Sequence, residues 1–146
     1  MAGITRRRTI LLAAGTLAVG PLNGCGGSGR VRRVTTAVLE VDGVAGCEIE
    51  SGMNGTFRRL LHGRIDLGAE ERRDAFTIYD DAMRAVVTTL HEGDETEGNI
   101  SVGGIMGFLA GVEEFTARDL EPDMAVEDYR LEQVGASALY ARYGLT

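Results

Sequence analysis

Residues 69–92 carry the strongest helical pattern in the sequence, and this segment limits the arrangements available to the rest of the chain. Eight apolar residues fall within about 140° of arc at ~100° per residue: Ala75, Phe76, Tyr79, Ala82, Met83, Val86, Val87 and Leu90. Glu70 and Glu71 suit the positive end of the helix dipole, and Gly93 follows as a stop. Asp80 and Arg84 are spaced to pair across one turn. The pattern predicts an amphipathic helix lying on a sheet.

The sequence before this helix predicts three strands. Residues 34–42 alternate between apolar and polar, and residues 47–51 form a short second segment. Asn54 and Gly55 give a strong tight-turn signal. Beyond the turn, four apolar residues share one face and four polar residues share the other: Phe57, Leu61, Ile65 and Leu67 against Arg58, His62, Arg64 and Asp66. A hairpin or meander is therefore expected.

Residues 99–110 are apolar and rich in glycine. They predict a buried strand in which Gly103 and Gly104 mark a bulge or a close backbone approach. The four-residue spacing of Gly103, Gly107 and Gly111 also matches contact motifs of membrane helices. The apolar stretch is too short to cross a bilayer, so the alternative to a strand is a segment that dips into a membrane or docks on a partner.

A second helix is predicted over residues 123–143, because Pro122 stands at its start and Gly144 follows its end. Its apolar residues lie on two opposite sides. Such a helix is buried by two neighbours, broken near Gly135, or offers one face to a partner. The order β-β-β-α-β-α predicts an α+β fold, with a sheet of about four strands and two helices packed on one face. One parallel crossover through the first helix fits this order.

The first 25 residues have the character of a targeting segment. Three arginines occupy positions 6–8, an apolar run follows over 10–19, and Leu22, Asn23, Gly24 and Cys25 come next. The run is shorter than the ~20 residues that span a bilayer. It is not part of the folded domain that the rest of the sequence predicts.

The end of this segment resembles the lipobox of bacterial lipoproteins, with Leu22 at −3, Gly24 at −1 and Cys25 as the residue that is acylated. Asn23 departs from the usual small or aliphatic residue at −2. Arg7 and Arg8 also resemble a twin-arginine signal, and a general-secretion lipoprotein signal with additional arginines is the alternative. The resemblance implies a signal peptide over 1–24 and an exported protein held by lipid on the outer face of the cell membrane. It covers residues 1–25 only.

Residues 25–33 are expected to form the lipidated Cys25 and a flexible tether, and residues 34–146 a single domain. Arg30, Arg32 and Arg33 then lie against anionic headgroups or simply in solvent. If Cys25 is acylated, Cys47 has no partner left in the chain. A small, buried, apolar role is expected for Cys47.

The charge of the chain excludes several function classes. All 15 basic residues are Arg, so lysine Schiff bases and Walker A phosphate loops are absent. From residue 26 onward, 12 Arg stand against 22 acidic residues, a net charge of −10. A domain this acidic repels phosphate backbones, and nucleic acid is not an expected partner.

Nucleophilic catalysis has few candidates in this sequence: Ser51, Ser101, Ser137 and Cys47, with His62 and His91 as bases. No serine lies in a Gly-x-Ser-x-Gly elbow. Both histidines are expected to be exposed. The pattern gives no defined catalytic group.

Metal binding has one weak candidate, the acidic loop that contains Asp94, Glu95 and Glu97, flanked by Glu92 and Asn99. These oxygens suit calcium, but the order of an EF-hand loop is missing. Two His and one remaining Cys do not give a zinc spacing. Neither a metal centre nor a cofactor is therefore predicted.

The sequence favours a lipid-anchored envelope lipoprotein whose domain binds an envelope protein or a cell-wall component without catalysis. One alternative is a small exported hydrolase that uses the faces around His62 and Glu48. Another is a divalent-cation binder that uses the loop at 92–99.

Overall fold

The computed structural model describes residues 27–55, 57–93, 99–110, 113–124 and 128–145, and every structural statement here concerns those residues. Helices and strands follow one another as α1 (Gly27–Leu39), β1 (Val44–Met53), β2 (Arg59–Leu67), α2 (Arg72–Gly93), β3 (Ser101–Leu109), β4 (Glu113–Phe115) and α3 (Ala117–Leu120). Two short 3₁₀ helices, Asp128–Gln133 and Ala136–Leu139, complete the described chain. No helix within these ranges is both long enough and apolar enough to cross a membrane.

The four strands form one mixed sheet in the order β1-β2-β3-β4. β1 and β2 are antiparallel neighbours joined by a turn, and β3 and β4 are also antiparallel. β2 and β3 run parallel, and the chain crosses between them through α2. The predicted α+β class, a sheet of four strands and the parallel crossover are therefore confirmed, but the predicted order β-β-β-α-β-α is wrong, because α1 precedes the first strand and β4 follows β3.

Both long helices cover the same face of this sheet. α1 contacts α2 and β1, while α2 also contacts β2 and β3. Seven of the eight residues predicted for the buried stripe of α2 are buried, and Phe76 is half-buried at its margin. The Tyr79 hydroxyl donates a 2.8 Å hydrogen bond to the Ile105 carbonyl, which ties the centre of α2 to β3. Apolar burial on this face is the main source of stability for the fold.

The predicted irregularity at Gly103 and Gly104 is confirmed. Leu60 pairs with Ser101 and His62 pairs with Gly104, so β3 has one residue more than β2 at this point. A Cβ atom on Gly103 would overlap the carbonyl oxygen of Leu131. Glycine is required here because the first 3₁₀ helix lies directly against the strand.

The predicted strand at 34–42 is wrong, because α1 continues to Leu39. The segment is rich in β-branched residues, which favour strands, yet Val31, Val34 and Val38 recur at helical spacing. Val34 and Val38 are fully buried and Val31 packs beside them. Burial of this stripe decides the local structure, and the predicted tether is helical from Gly27 onward.

The predicted helix over 123–143 is also wrong. Its described part consists of the two 3₁₀ helices and turns, and the break falls near Gly135, which was one of the alternatives. Ser101 and Gly135 form an isolated bridge, the Val102 N–H donates to the Val134 carbonyl, and the Ala136 N–H donates to the Ile100 carbonyl. Bonding to β3 replaces helical bonding in this segment. The three-residue strand β4 was not predicted.

Asp80 does not pair with Arg84 as expected. Its carboxylate accepts two hydrogen bonds from Arg142, at 3.0 and 2.8 Å, and one of 3.0 Å from the Tyr143 hydroxyl. Arg142 also donates to the Leu120 carbonyl at 2.6 Å, and Arg84 lies over the Tyr143 ring instead. We call Asp80, Arg142 and Tyr143 the C-terminal clasp, because they fasten the end of the chain to α2.

Candidate functional site

One end of the domain gathers exposed apolar and basic side chains. At this end α1 begins, β1 ends and β2 starts. This follows because α1 and β1 are consecutive elements that pack against each other and run in opposite directions. We define the hairpin end by Arg30, Met53, Phe57, Arg58 and Arg59. These residues belong to the first turns of α1 and to the turn that joins β1 to β2.

The turn itself is closed by Asn54. The Asn54 N–H donates to the Arg58 carbonyl, and the Arg58 N–H donates back to the Asn54 side-chain oxygen, both at 3.0 Å. The Phe57 N–H donates to the Asn54 carbonyl, also at 3.0 Å. Asn54 thus fulfils the turn role predicted for it, with a longer loop than a two-residue hairpin.

Phe57 is unusual in both conformation and exposure. Its φ of 59° lies in the left-handed region, which is strained for a bulky side chain. Its side chain is 83% exposed, and Met53 across the turn is 61% exposed. Phe57 was predicted to share the buried face of a strand, and that prediction is wrong because β2 begins only at Arg59. Leu61, Ile65 and Leu67 do occupy the buried face.

A cleft of about 460 Å³ opens beside this turn. Its described lining consists of Arg30, Arg58, Arg59, Asn99 and Ile100. One guanidinium nitrogen of Arg58 donates to the Gln133 carbonyl at 3.0 Å, which holds that side chain between the hairpin and the first 3₁₀ helix. Three arginine residues therefore line one small cleft, and arginine suits an anionic group with several acceptor oxygens.

The basic charge of the domain is concentrated near this end. Of the 12 arginines after residue 25, three lie in the first half of α1 and two follow the turn. Arg32 and Arg33 are exposed on α1. The other seven arginines after residue 25 stand against 22 acidic residues, so the hairpin end differs from the overall charge of the chain.

The serines and Cys47 considered for catalysis are not brought together with a base, although Glu48 and His62 are diagonal neighbours on the exposed face of the sheet. In the β1–β2 register Glu48 stands opposite Arg64, and His62 stands opposite Glu50. His62 is exposed, whereas the His91 ring lies edge-on to Tyr140 with the centroids 5.0 Å apart. Ser101 is fully buried in β3, and Ser51 and Ser137 are exposed on separate elements. The geometry assembles no nucleophile with a base among these residues.

Cys47 lies on β1 and packs partly against the core. Burial, together with the charges of Asp66 and Glu48, raises the pKa of its thiol to about 11. The thiol is therefore protonated at neutral pH and a poor nucleophile. The raised pKa fits the unreactive role predicted for Cys47, but the residue is half-buried and not buried as expected.

Several predicted residues lie outside the described ranges. Arg7, Arg8, Leu22, Gly24 and Cys25 are in the N-terminal segment, and Asp94, Glu95 and Glu97 are in the acidic loop. The loop's flank Asn99 lines the cleft, and Glu92 is exposed at the end of α2. Among the described residues, no three His, Cys, Asp or Glu side chains are grouped to hold a metal ion.

Comparisons of the chain with protein families, with curated proteins and with solved structures found no match. Arg30, Arg32 and Arg33 stand out in the sequence by their charge, whereas the exposure of Met53 and Phe57 is seen only in the structure. The sequence signal for this surface is the run Phe57-Arg58-Arg59, one residue after Asn54-Gly55, where an aromatic residue and two charges adjoin a turn.

Proposed function

We propose that this protein is an exported lipoprotein, anchored by lipid on Cys25, whose domain is a non-catalytic binding module at the outer face of the cell membrane. The observation that carries the proposal is the sequence Leu22-Asn23-Gly24-Cys25 after a basic segment and a short apolar run. Each part has a place in lipoprotein maturation, from the basic start to the cysteine that receives the lipid.

The start of the folded domain supports this proposal. α1 begins at Gly27, two residues after Cys25. Two residues of chain span at most about 7 Å, so a lipid on Cys25 would hold the beginning of α1 close to the membrane surface. The basic residues of α1 lie at the end where anionic headgroups would meet them.

The arrangement of polar residues supports a binding role over a catalytic one. Glu48 and His62, the pair considered for a hydrolase, are diagonal neighbours on the exposed face of the sheet, and neither has a serine or cysteine as its direct partner. The cleft at the hairpin end is bordered by arginines, which bind anions and do not serve as general bases at neutral pH. The partner expected for the module is an envelope protein or a cell-wall component.

The test is fatty-acid labelling of the full chain expressed in a bacterial host that matures lipoproteins. Wild type is compared with Cys25→Ala and with Cys47→Ala, which removes the other cysteine of the chain. We expect label on wild type and on Cys47→Ala, and none on Cys25→Ala. Label that persists in Cys25→Ala, or absence of label from wild type, would contradict the proposal.

A further inference from the structure

We infer that the hairpin end is a membrane-contacting surface, in which Arg30, Arg58 and Arg59 bind anionic lipid headgroups while Phe57 and Met53 enter the interfacial layer. The inference extends the proposed function, since it assigns the domain an orientation on the membrane to which Cys25 would be anchored. It also identifies the lipid as a ligand of the folded domain, beyond the anchor itself.

The beginning of α1 lies close to the turn that joins β1 to β2. The cleft places Arg30 of α1 beside Arg58 and Arg59 of the turn, so the beginning of α1 and the hairpin lie at the same end of the domain. The chain from Cys25 to Gly27 is at most about 7 Å long. A lipidated Cys25 would therefore bring this end, and not the opposite one, against the bilayer.

The chemistry of the exposed side chains is the second argument. Phe57 and Met53 are among three large apolar residues that stand exposed in the described chain, and these two flank one turn. Aromatic and apolar side chains beside arginines are the composition of surfaces that sit in the membrane interface. Phe57 has a φ of 59° in the left-handed region, and it is 83% exposed at the turn.

Charge is the third argument. An acidic domain is repelled by an anionic bilayer unless its positive charge is concentrated on the side that approaches. Five of the 12 arginines after residue 25 lie in the first half of α1 or directly after the turn. The three that border the cleft can surround a phosphate group with several donors, which suits the headgroup of an anionic phospholipid.

The third exposed apolar residue supplies a matched control. Leu39 is 51% exposed and ends α1, about 18 Å along the helix from its beginning. The chain contains no Trp, so a single Trp placed at either position reports its own surroundings. Phe57→Trp and Leu39→Trp therefore compare the two ends of the domain within the same protein.

The experiment uses the full chain with either reporter, mixed with vesicles of phosphatidylglycerol and brominated phosphatidylcholine, or of brominated phosphatidylcholine alone. We expect a blue shift and bromine quenching of the Trp at position 57, stronger with the anionic than with the neutral vesicles, and neither change at position 39. Arg59→Gln, combined with Phe57→Trp, should weaken binding about fivefold, since one arginine near such a surface contributes about a fivefold factor.

Several outcomes would overturn the inference. These are equal quenching at both positions, no quenching at either, and equal responses to neutral and anionic vesicles. A blue shift of the Trp at position 57 that occurs without vesicles and increases with protein concentration would also overturn it. That result would show that a second copy of the chain, and not lipid, binds the hairpin end.

The two proposals can fail separately. Both reporters carry the same N-terminal segment, so lipid on Cys25 affects them equally and only their difference reports orientation. If the protein is not labelled with fatty acid but the Trp at position 57 responds to vesicles, the membrane-contacting surface is supported and the lipid anchor is contradicted. If Cys25 is labelled but the Trp at position 57 does not respond to vesicles, the lipid anchor is supported and the membrane-contacting surface is contradicted.

Discussion

The C-terminal clasp and the hairpin end contain the same residue types, but these residues have different roles in the two places. In the clasp, Arg142 is held by the Asp80 carboxylate and lies near the Tyr143 ring, and all three are largely withdrawn from water. At the hairpin end, Arg59 and Phe57 are both exposed and the aromatic ring packs on no core element. Arginine and aromatic side chains stabilise the fold in one place and are left available for contact in the other.

The two regions differ in whether a carboxylate of the same domain pairs with the arginine. The clasp supplies a carboxylate to its arginine, and a salt bridge with several hydrogen bonds forms within the domain. The cleft at the hairpin end gathers three arginines in one place, and its described lining contains no carboxylate. An external anion can add contacts to these arginines beside the ones they make within the domain.

The largest expected effect comes from comparing two phenylalanines. Phe115 is buried and its ring lies 5.9 Å from the Tyr79 ring, so Phe115→Ala should lower the free energy of unfolding by about 3–5 kcal/mol. Phe57→Gly should leave it unchanged or raise it by up to about 1 kcal/mol, because glycine tolerates the positive φ. Urea denaturation of the full chain measures both. A loss of more than about 2 kcal/mol in Phe57→Gly would show that the tip belongs to the core.

The second expected effect compares two salt bridges. Arg142→Ala should lower the free energy of unfolding by about 2 kcal/mol, because it removes charged hydrogen bonds from a partly buried carboxylate. Arg64 pairs with Asp66 at 2.7 Å in a more exposed setting, and Arg64→Ala should cost less than about 1 kcal/mol. The same denaturation series measures both variants. Equal losses would contradict the distinction between the clasp and a surface pair.

The smallest expected effect is a dependence on acid. Burial opposes ionisation of Asp80, but hydrogen bonds from Arg142 and Tyr143 and the charge of Arg142 outweigh it, and the pKa of Asp80 is lowered. A carboxyl group with a lowered pKa in the folded state stabilises the fold above its unfolded pKa of about 4. That contribution is lost as the pH falls further, through the pKa of the folded state.

Thermal unfolding between pH 2.5 and 6 checks this effect in wild type and Asp80→Asn. Wild type should be more stable at pH 6, and its advantage should shrink below about pH 4. Asp66→Asn removes a carboxylate from the exposed pair and serves as the matched control. An advantage of wild type over Asp80→Asn that is the same at every pH would contradict the assignment.

Parts of the fold that depend on a repeated local pattern could be predicted from the sequence. The stripe of α2 and the alternation of β2 each place apolar residues on one face, and Gly103 had to be glycine because a backbone approaches it. Parts that depend on distant contacts could not be predicted. Val34 and Val38 are helical because α2 and β1 cover them, and the segment after Pro122 bonds to β3 instead of to itself.

The candidate surface was half predictable for the same reason. The arginines of α1 stand out by charge alone, so the sequence shows them without knowledge of the fold. Phe57 follows the apolar spacing of β2 and so was placed in the core, although the turn extends to Arg58 and leaves its ring outside. Only the convergence of α1 and the hairpin at one end shows that these groups belong together.

The most direct measurement is mass spectrometry of the N-terminal peptide of the protein recovered from the membrane fraction. Cleavage after arginine would release residues 25–30 as Cys-Gly-Gly-Ser-Gly-Arg from a mature lipoprotein. We predict that this peptide begins at Cys25 and carries the mass of an attached diacylglyceryl group. A protein that retains residues 1–24, or an unmodified Cys25, would contradict the central claim that lipid at this position holds the domain to the membrane.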